Sequence, residues 1–142
     1  MSRFFEHQKS SFKRNYLRNL IMLASADGDL KEEERDLIHK IGIRRGLKRW
    51  QIEELFLENR ATDLFLPESI ANRMNMLYDL MEMMYVDRQA SEGEIAVVAQ
   101  LLEAFQLEPS LLNSLLHLFR HGTPEPLDWR DFVDEVCLVP AA

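Results

Sequence analysis

Sliding this chain along itself by 60 residues lays its first half over its second. Leu17-Arg-Asn-Leu20 falls on Leu77-Tyr-Asp-Leu80, Asp27 on Asp87, Glu32 on Glu92, Glu34 on Glu94 and Leu47 on Leu107. Between 17 and 47 there are six identities in 31 ungapped positions, and three of the six are acids. Apolar positions coincide as well: Ile21 with Met81, Ile38 with Val98, Ile41 with Leu101, Ile52 with Leu112 and Leu55 with Leu115. Matched apolar positions are expected of any two amphipathic helices, whereas matched acids are not. The repeated unit reads as long helix, acidic turn, helix and short helix, and one copy cannot bury its apolar faces alone.

The apolar spacing is helical almost throughout, at i, i+3 and i+4, and no alternating β-branched run is long enough for a strand. Gly28 and Gly46 stand where helices end, predicting a helix over about 9–26 and another over about 31–45. A third is expected over about 48–59. Pro67 and Pro109 suit the first turns of later helices, where no proline N–H is needed. Pro124 and Pro126 precede a last helix with Asp128 as its N-cap. The expected fold is all-α and a single domain over 1–142. It is a seven-helix bundle of two similar three-helix halves, about 12–59 and 68–120, plus a C-terminal helix.

The matched acids sit in two turns, Ala26-Asp-Gly-Asp-Leu-Lys-Glu-Glu-Glu34 and Val86-Asp-Arg-Gln-Ala-Ser-Glu-Gly-Glu94. Acids in a first helical turn complement the macrodipole, and Ser91 with Glu94 has capping-box spacing. Lys31 takes the capping position in the first copy, which leaves Asp29 as its candidate acceptor. Asp27, Asp29 and Glu34 also form an oxygen donor set for a hard divalent cation such as Ca²⁺, and Asp87 with Glu94 a poorer one. An EF-hand is excluded: Lys31 occupies the fifth loop position, Glu32 replaces the required glycine, and Ile38 stands where the bidentate Glu belongs.

Residues 23–34, Leu-Ala-Ser-Ala-Asp-Gly-Asp-Leu-Lys-Glu-Glu-Glu, together with Asp87 and Glu94, resemble the signature of TerB-like domains, a family named after a tellurite-resistance protein. The resemblance covers about 12–120. It implies an all-α bundle of two similar halves, a stress-related role, and divalent-metal binding at Asp27, Glu34, Asp87 and Glu94. Relatives of this kind also occur beside J-domains in membrane-bound co-chaperones; this chain carries no His-Pro-Asp motif. The second turn departs from the pattern, with Arg88 in place of Gly28 and Gln89 in place of Asp29.

Other chemistry is thin. His117 and His121 are four apart but lack the Glu of a zincin motif. Asp36 and His39 supply one Asp-x-x-His where a di-iron site needs two Glu-x-x-His motifs and two more Glu. Cys137 has no His partner in sequence and reads as a small core residue. Six methionines, Met22, Met74, Met76, Met81, Met83 and Met84, fill a core or line an adaptable groove. Trp50 and Trp129 serve either as partner anchors or as packing residues. The net charge of −7 disfavours nucleic acid. One cysteine and no long apolar run point to a cytoplasmic chain without a membrane span. Charge is uneven: residues 1–20 hold five cations and one anion, and residues 122–142 five anions and one cation. The expectation is a non-enzymatic binding module with a protein partner and no cofactor beyond a weakly held cation. The alternatives are an adaptor whose acids only cap helices and, further off, a helical metalloenzyme.

Overall fold

The structure, a computed structural model, describes residues 2–25, 30–58, 64–85 and 92–138, with side chains over 12–25, 30–58, 64–85 and 92–136. Among them are seven α-helices and no strand: α1 (Ser2–Ala24), α2 (Glu32–Arg44), α3 (Arg49–Leu57), α4 (Ile70–Met84), α5 (Glu92–Ala104), α6 (Leu111–Leu118) and α7 (Pro126–Leu138). None of the described helices is long and apolar enough to cross a membrane. The chain forms two compact units, Met1–Phe65 and Leu66–Ala142.

In the first unit, helical spacing turns Tyr16, Leu17 and Leu20 of α1 toward Ile38 and Ile41 of α2 and Ile52 and Leu55 of α3. The three helices pack pairwise. Gly42 makes this approach possible. A Cβ there would stand 2.6 Å from Ile52 Cδ1, 2.9 Å from Ile52 Cγ1 and 3.1 Å from Leu17 Cδ2. Ile52 is fully buried and has no room to yield. The helix then ends on Gly46, whose φ of +99° opens the left-handed turn that closes a helix. Leu47 N–H donates to Gly42 O at 2.9 Å and Gly46 N–H to Ile43 O at 3.0 Å, which folds Leu47 into the core. Gln51 Oε1 accepts from the Lys48 N–H at 2.9 Å and so starts α3.

In the second unit, α4 is buried nearly all round, through Met74, Met76, Leu77, Leu80, Met81, Met83 and Met84 among others. These five methionines are therefore core residues, not the lining of an exposed groove. The helix starts on Ser69, whose Oγ accepts from Asn72 N–H at 3.1 Å. It packs against α5 and α7, and α5 packs against α6. The end of α5 repeats the hydrogen bonds of the end of α2: Leu107 N–H donates to Leu102 O at 2.9 Å and Gln106 N–H to Glu103 O at 3.0 Å. Gln106 takes a φ of 58° without being glycine. Arg73 ties the unit together by donating from Nε to Pro67 O at 2.7 Å and from Nη1 to Phe105 O at 3.2 Å. Trp129 of α7 meets Tyr78 of α4 at 4.9 Å between ring centroids, and Phe119 at 6.1 Å. It is a packing residue, as one of the two sequence readings had it.

Several boundaries differ from expectation. α1 begins at Ser2, not near residue 9, because nothing between them breaks a helix. Pro67 precedes α4 by three residues; Ser69 is the better starting residue because it can cap. Pro109 likewise lies in the turn before α6, where its carbonyl accepts from Leu112 N–H at 3.1 Å. Asp128 is inside the first turn of α7, not its N-cap, since Pro126 takes the first helical position. His117 closes α6 while His121 lies beyond it, so the two do not share a helix face.

Gly42→Ala should therefore destabilise the protein. Helix propensity gains up to about 1 kcal/mol, but overpacking against Ile52 costs about 1–3 kcal/mol. A net loss of about 1–2 kcal/mol in chemical denaturation is expected.

Candidate functional site

The candidate cation ligands come from the connections between α1 and α2 and between α4 and α5. Helix bounds on the two sides are in register: α1 ends at Ala24 and α4 at Met84, α2 begins at Glu32 and α5 at Glu92. Glu34 and Glu94 are thus both the third residue of their helices. Each is half-buried and engaged with neighbouring groups, while Glu32, Glu33 and Glu92 are exposed. Asp27, Asp29 and Asp87 lie outside the described residues, as do Gly28 and Ser91. Lys31 starts α2 with extended backbone and no side-chain hydrogen bond to it, as its chemistry requires. The three glutamates that follow therefore meet the positive helix end without a conventional cap.

Among the described residues, no three His, Cys, Asp or Glu side chains gather as a metal-holding group. Asp36 and His39 do come together, in an open groove between α2 and α3 lined also by Lys40, Ile43, Arg49 and Glu53. His39 Nε2 lies 2.9 Å from Glu53 Oε1, and the imidazole packs 5.1 Å from the Phe56 ring. The Arg35 guanidinium lies over the same ring, 4.8 Å from its centroid. His39 and Glu53 are thus paired across adjacent helices, with a cation–π contact beside them. The side chain of Cys137 lies outside the described ones.

Sequence reasoning passed over the buried polar pair Asn19 and Asp79, which are also 60 residues apart. Asn19 Nδ2 donates to Phe65 O at 2.5 Å and its Oδ1 accepts from Phe65 N–H at 2.9 Å. It thereby pins the end of the first unit to α1 and satisfies both backbone polar groups of Phe65. Asp79 is fully buried on α4 and also has interaction partners. The signal was present: a polar residue amid the apolar stripe, in both copies. Beside it, Arg18 grips Glu58 with Nε at 2.8 Å from Oε2 and Nη2 at 3.2 Å from Oε1.

Compared with protein-family models, curated proteins and solved structures, the chain matches none.

Tyr85 closes α4 immediately before the second acidic turn, its ring stacked 6.4 Å from Phe119. Burial raises its phenol above the ordinary tyrosine value of 10.0. Since the neutral form is the one favoured in the folded chain, this stability is fully present below pH 10.0 and is lost as pH rises through the higher folded value. Absorbance titration of the wild type against Tyr85→Phe should show the variant to have lost one tyrosine that ionises above pH 10.0.

Proposed function

We propose that this chain is a TerB-like, non-enzymatic binding module, built from two related halves, whose paired acidic turns take a divalent cation. The observation that carries the reading is the shared placement of Glu34 and Glu94. Both stand at the third position of helices that begin 60 residues apart, and both are drawn partly out of water where neighbouring first-turn glutamates are not. A surface acid that serves only the helix dipole has no need of burial. A carboxylate at the edge of a turn that also contains Asp27 and Asp29 has the chemistry of a hard-cation ligand. The first turn, with two aspartates, is the stronger site; the second, with Gln89 and Arg88, is the weaker.

The resemblance of residues 23–34 to the TerB signature supports the same assignment and gives the module its stress-related setting. The uncapped Lys31 favours a rival, in which Glu32, Glu33 and Glu34 act only on the helix dipole. Thermal unfolding in rising Ca²⁺ and Mg²⁺ separates the two. Cation binding predicts a midpoint that climbs with free metal as mass action requires, and a double variant Asp27→Asn, Glu34→Gln that no longer responds. The capping reading predicts no response to metal and a loss of about 0.3–1 kcal/mol per removed acid. A flat wild-type curve to about 10 mM of either ion, about tenfold above the dissociation constant of even the weakest functional calcium sites, would discard the cation.

A further inference from the structure

At the far end of α2 from the acidic turn, the chain runs Ile43-Arg-Arg-Gly-Leu-Lys-Arg-Trp50, with four cations and no acid in eight residues. Arg44, Lys48 and Arg49 are exposed, and two large apolar side chains stand among them, Ile43 and Trp50, each 54% exposed. Arg14 from α1 adds a further cation, 5.9 Å from the Trp50 ring. An exposed tryptophan ringed by arginines has the composition of an interface anchor. Burying it alone would remove a large apolar area from water, and the cations around it select a partner by sign.

The complementary surface is on the same chain. α7 presents Asp128, Asp131 and Asp134 at every third position, with Glu135 beside the last, and all four are exposed. Residues three apart fall on one helix face. The opposite face of α7 is spent on the core, through Trp129 against Tyr78. Leu127, 68% exposed, adds an apolar residue at the start of the acidic row. Charge is divided the same way on the larger scale. Residues 1–65 carry 13 Lys and Arg against 11 Asp and Glu, and residues 66–142 carry four against 13.

We propose that the Ile43–Trp50 corner of one molecule receives the acidic face of α7 from a second copy of this chain. Both surfaces are exposed and therefore open to a partner. Reciprocal use of the two contacts closes a dimer. A second copy is favoured over an anionic bilayer because the bilayer would repel the strongly acidic residues 66–142, whereas a second copy brings those acids to the cations. The contact is independent of cation binding, which concerns the other end of α2.

Sedimentation velocity over a concentration series tests it. In about 0.05 M salt the wild type should associate reversibly, and in about 0.5 M salt, where charges are screened beyond a few ångströms, it should sediment as a monomer. Arg44→Glu with Lys48→Glu and Arg49→Glu should weaken self-association at least about tenfold, and so should Asp128→Lys with Asp131→Lys and Asp134→Lys. Mixing the two triple variants should restore a complex, since each then supplies what the other lost. All six positions are exposed, and unchanged helical circular dichroism confirms the fold of each variant; the salt series on the wild type stands without them. A wild type that is monomeric at low salt overturns the proposal. So does association that ignores salt and both reversals, or a mixture that fails to reassociate. Binding of a monomeric wild type to phosphatidylserine vesicles would transfer the corner to a membrane. Any of these results leaves the Ca²⁺ response of the acidic turns to stand or fall separately.

Discussion

Three helices meet in residues 1–65 because α2 has no side chain at Gly42. Ile52 and Leu17 occupy the space where a Cβ would be, so α3 and α1 both close directly on the α2 backbone. Everything else in this unit follows from that approach. Gly46, one turn later, reverses the chain in a left-handed conformation, and Leu47 is carried back into the core. The short link to α3 then leaves Arg44, Lys48, Arg49 and Trp50 on the outside of a tight corner. The exposure of this corner is thus a by-product of the packing: a chain that turns so sharply has its intervening side chains directed outward.

In the second unit the position 60 residues on carries a side chain. Leu102 stands 60 residues after Gly42 and is buried, so α5 meets its neighbours through a side chain instead of its backbone. The end of the helix is nevertheless preserved bond for bond, even though Gln106 must adopt the positive φ that Gly46 takes freely. For a non-glycine residue such a conformation costs about 1–2 kcal/mol, so the turn must be held by what surrounds it. Arg73, reaching from α4 to Phe105 O beside this turn, is one such hold. α4 finds its remaining partner in α7, through Tyr78, Trp129 and Phe119, an arrangement with no counterpart among the helices of the first unit.

The parts of this architecture visible in the sequence are those that rest on local periodicity. Leu17, Leu20, Ile38, Ile41, Ile52 and Leu55 announce the inner faces by spacing alone, and each is buried. Gly46 announces a helix end by its chemistry. Starts were harder. Proline tolerates the first turn but does not demand it, so Ser69, with a hydroxyl that can cap, outcompeted Pro67, while Pro126 did open α7. Close approach at Gly42 and the pinning of Phe65 by Asn19 depend on residues far apart in sequence, and no local pattern encodes them. The acidic turns were legible as a repeated pattern of charge, and of their five candidate ligands the described residues include Glu34 and Glu94.

Burial and charge divide the labour of the two ends of α2. Toward its N-terminus three glutamates crowd the positive end of the helix dipole, and toward its C-terminus Arg44 complements the negative end. Both placements favour the helix, which is reason enough for one acid and one base. They do not account for the rest. Lys48 and Arg49 lie beyond α2, at and just after the start of α3, where a cation is opposed by that helix's own positive end. Helix stability alone would select an acid at the first helical position, where α2 carries Glu32 and α3 carries Arg49. Cations retained against the local dipole, beside a tryptophan left more than half exposed, answer to something outside the unit that carries them.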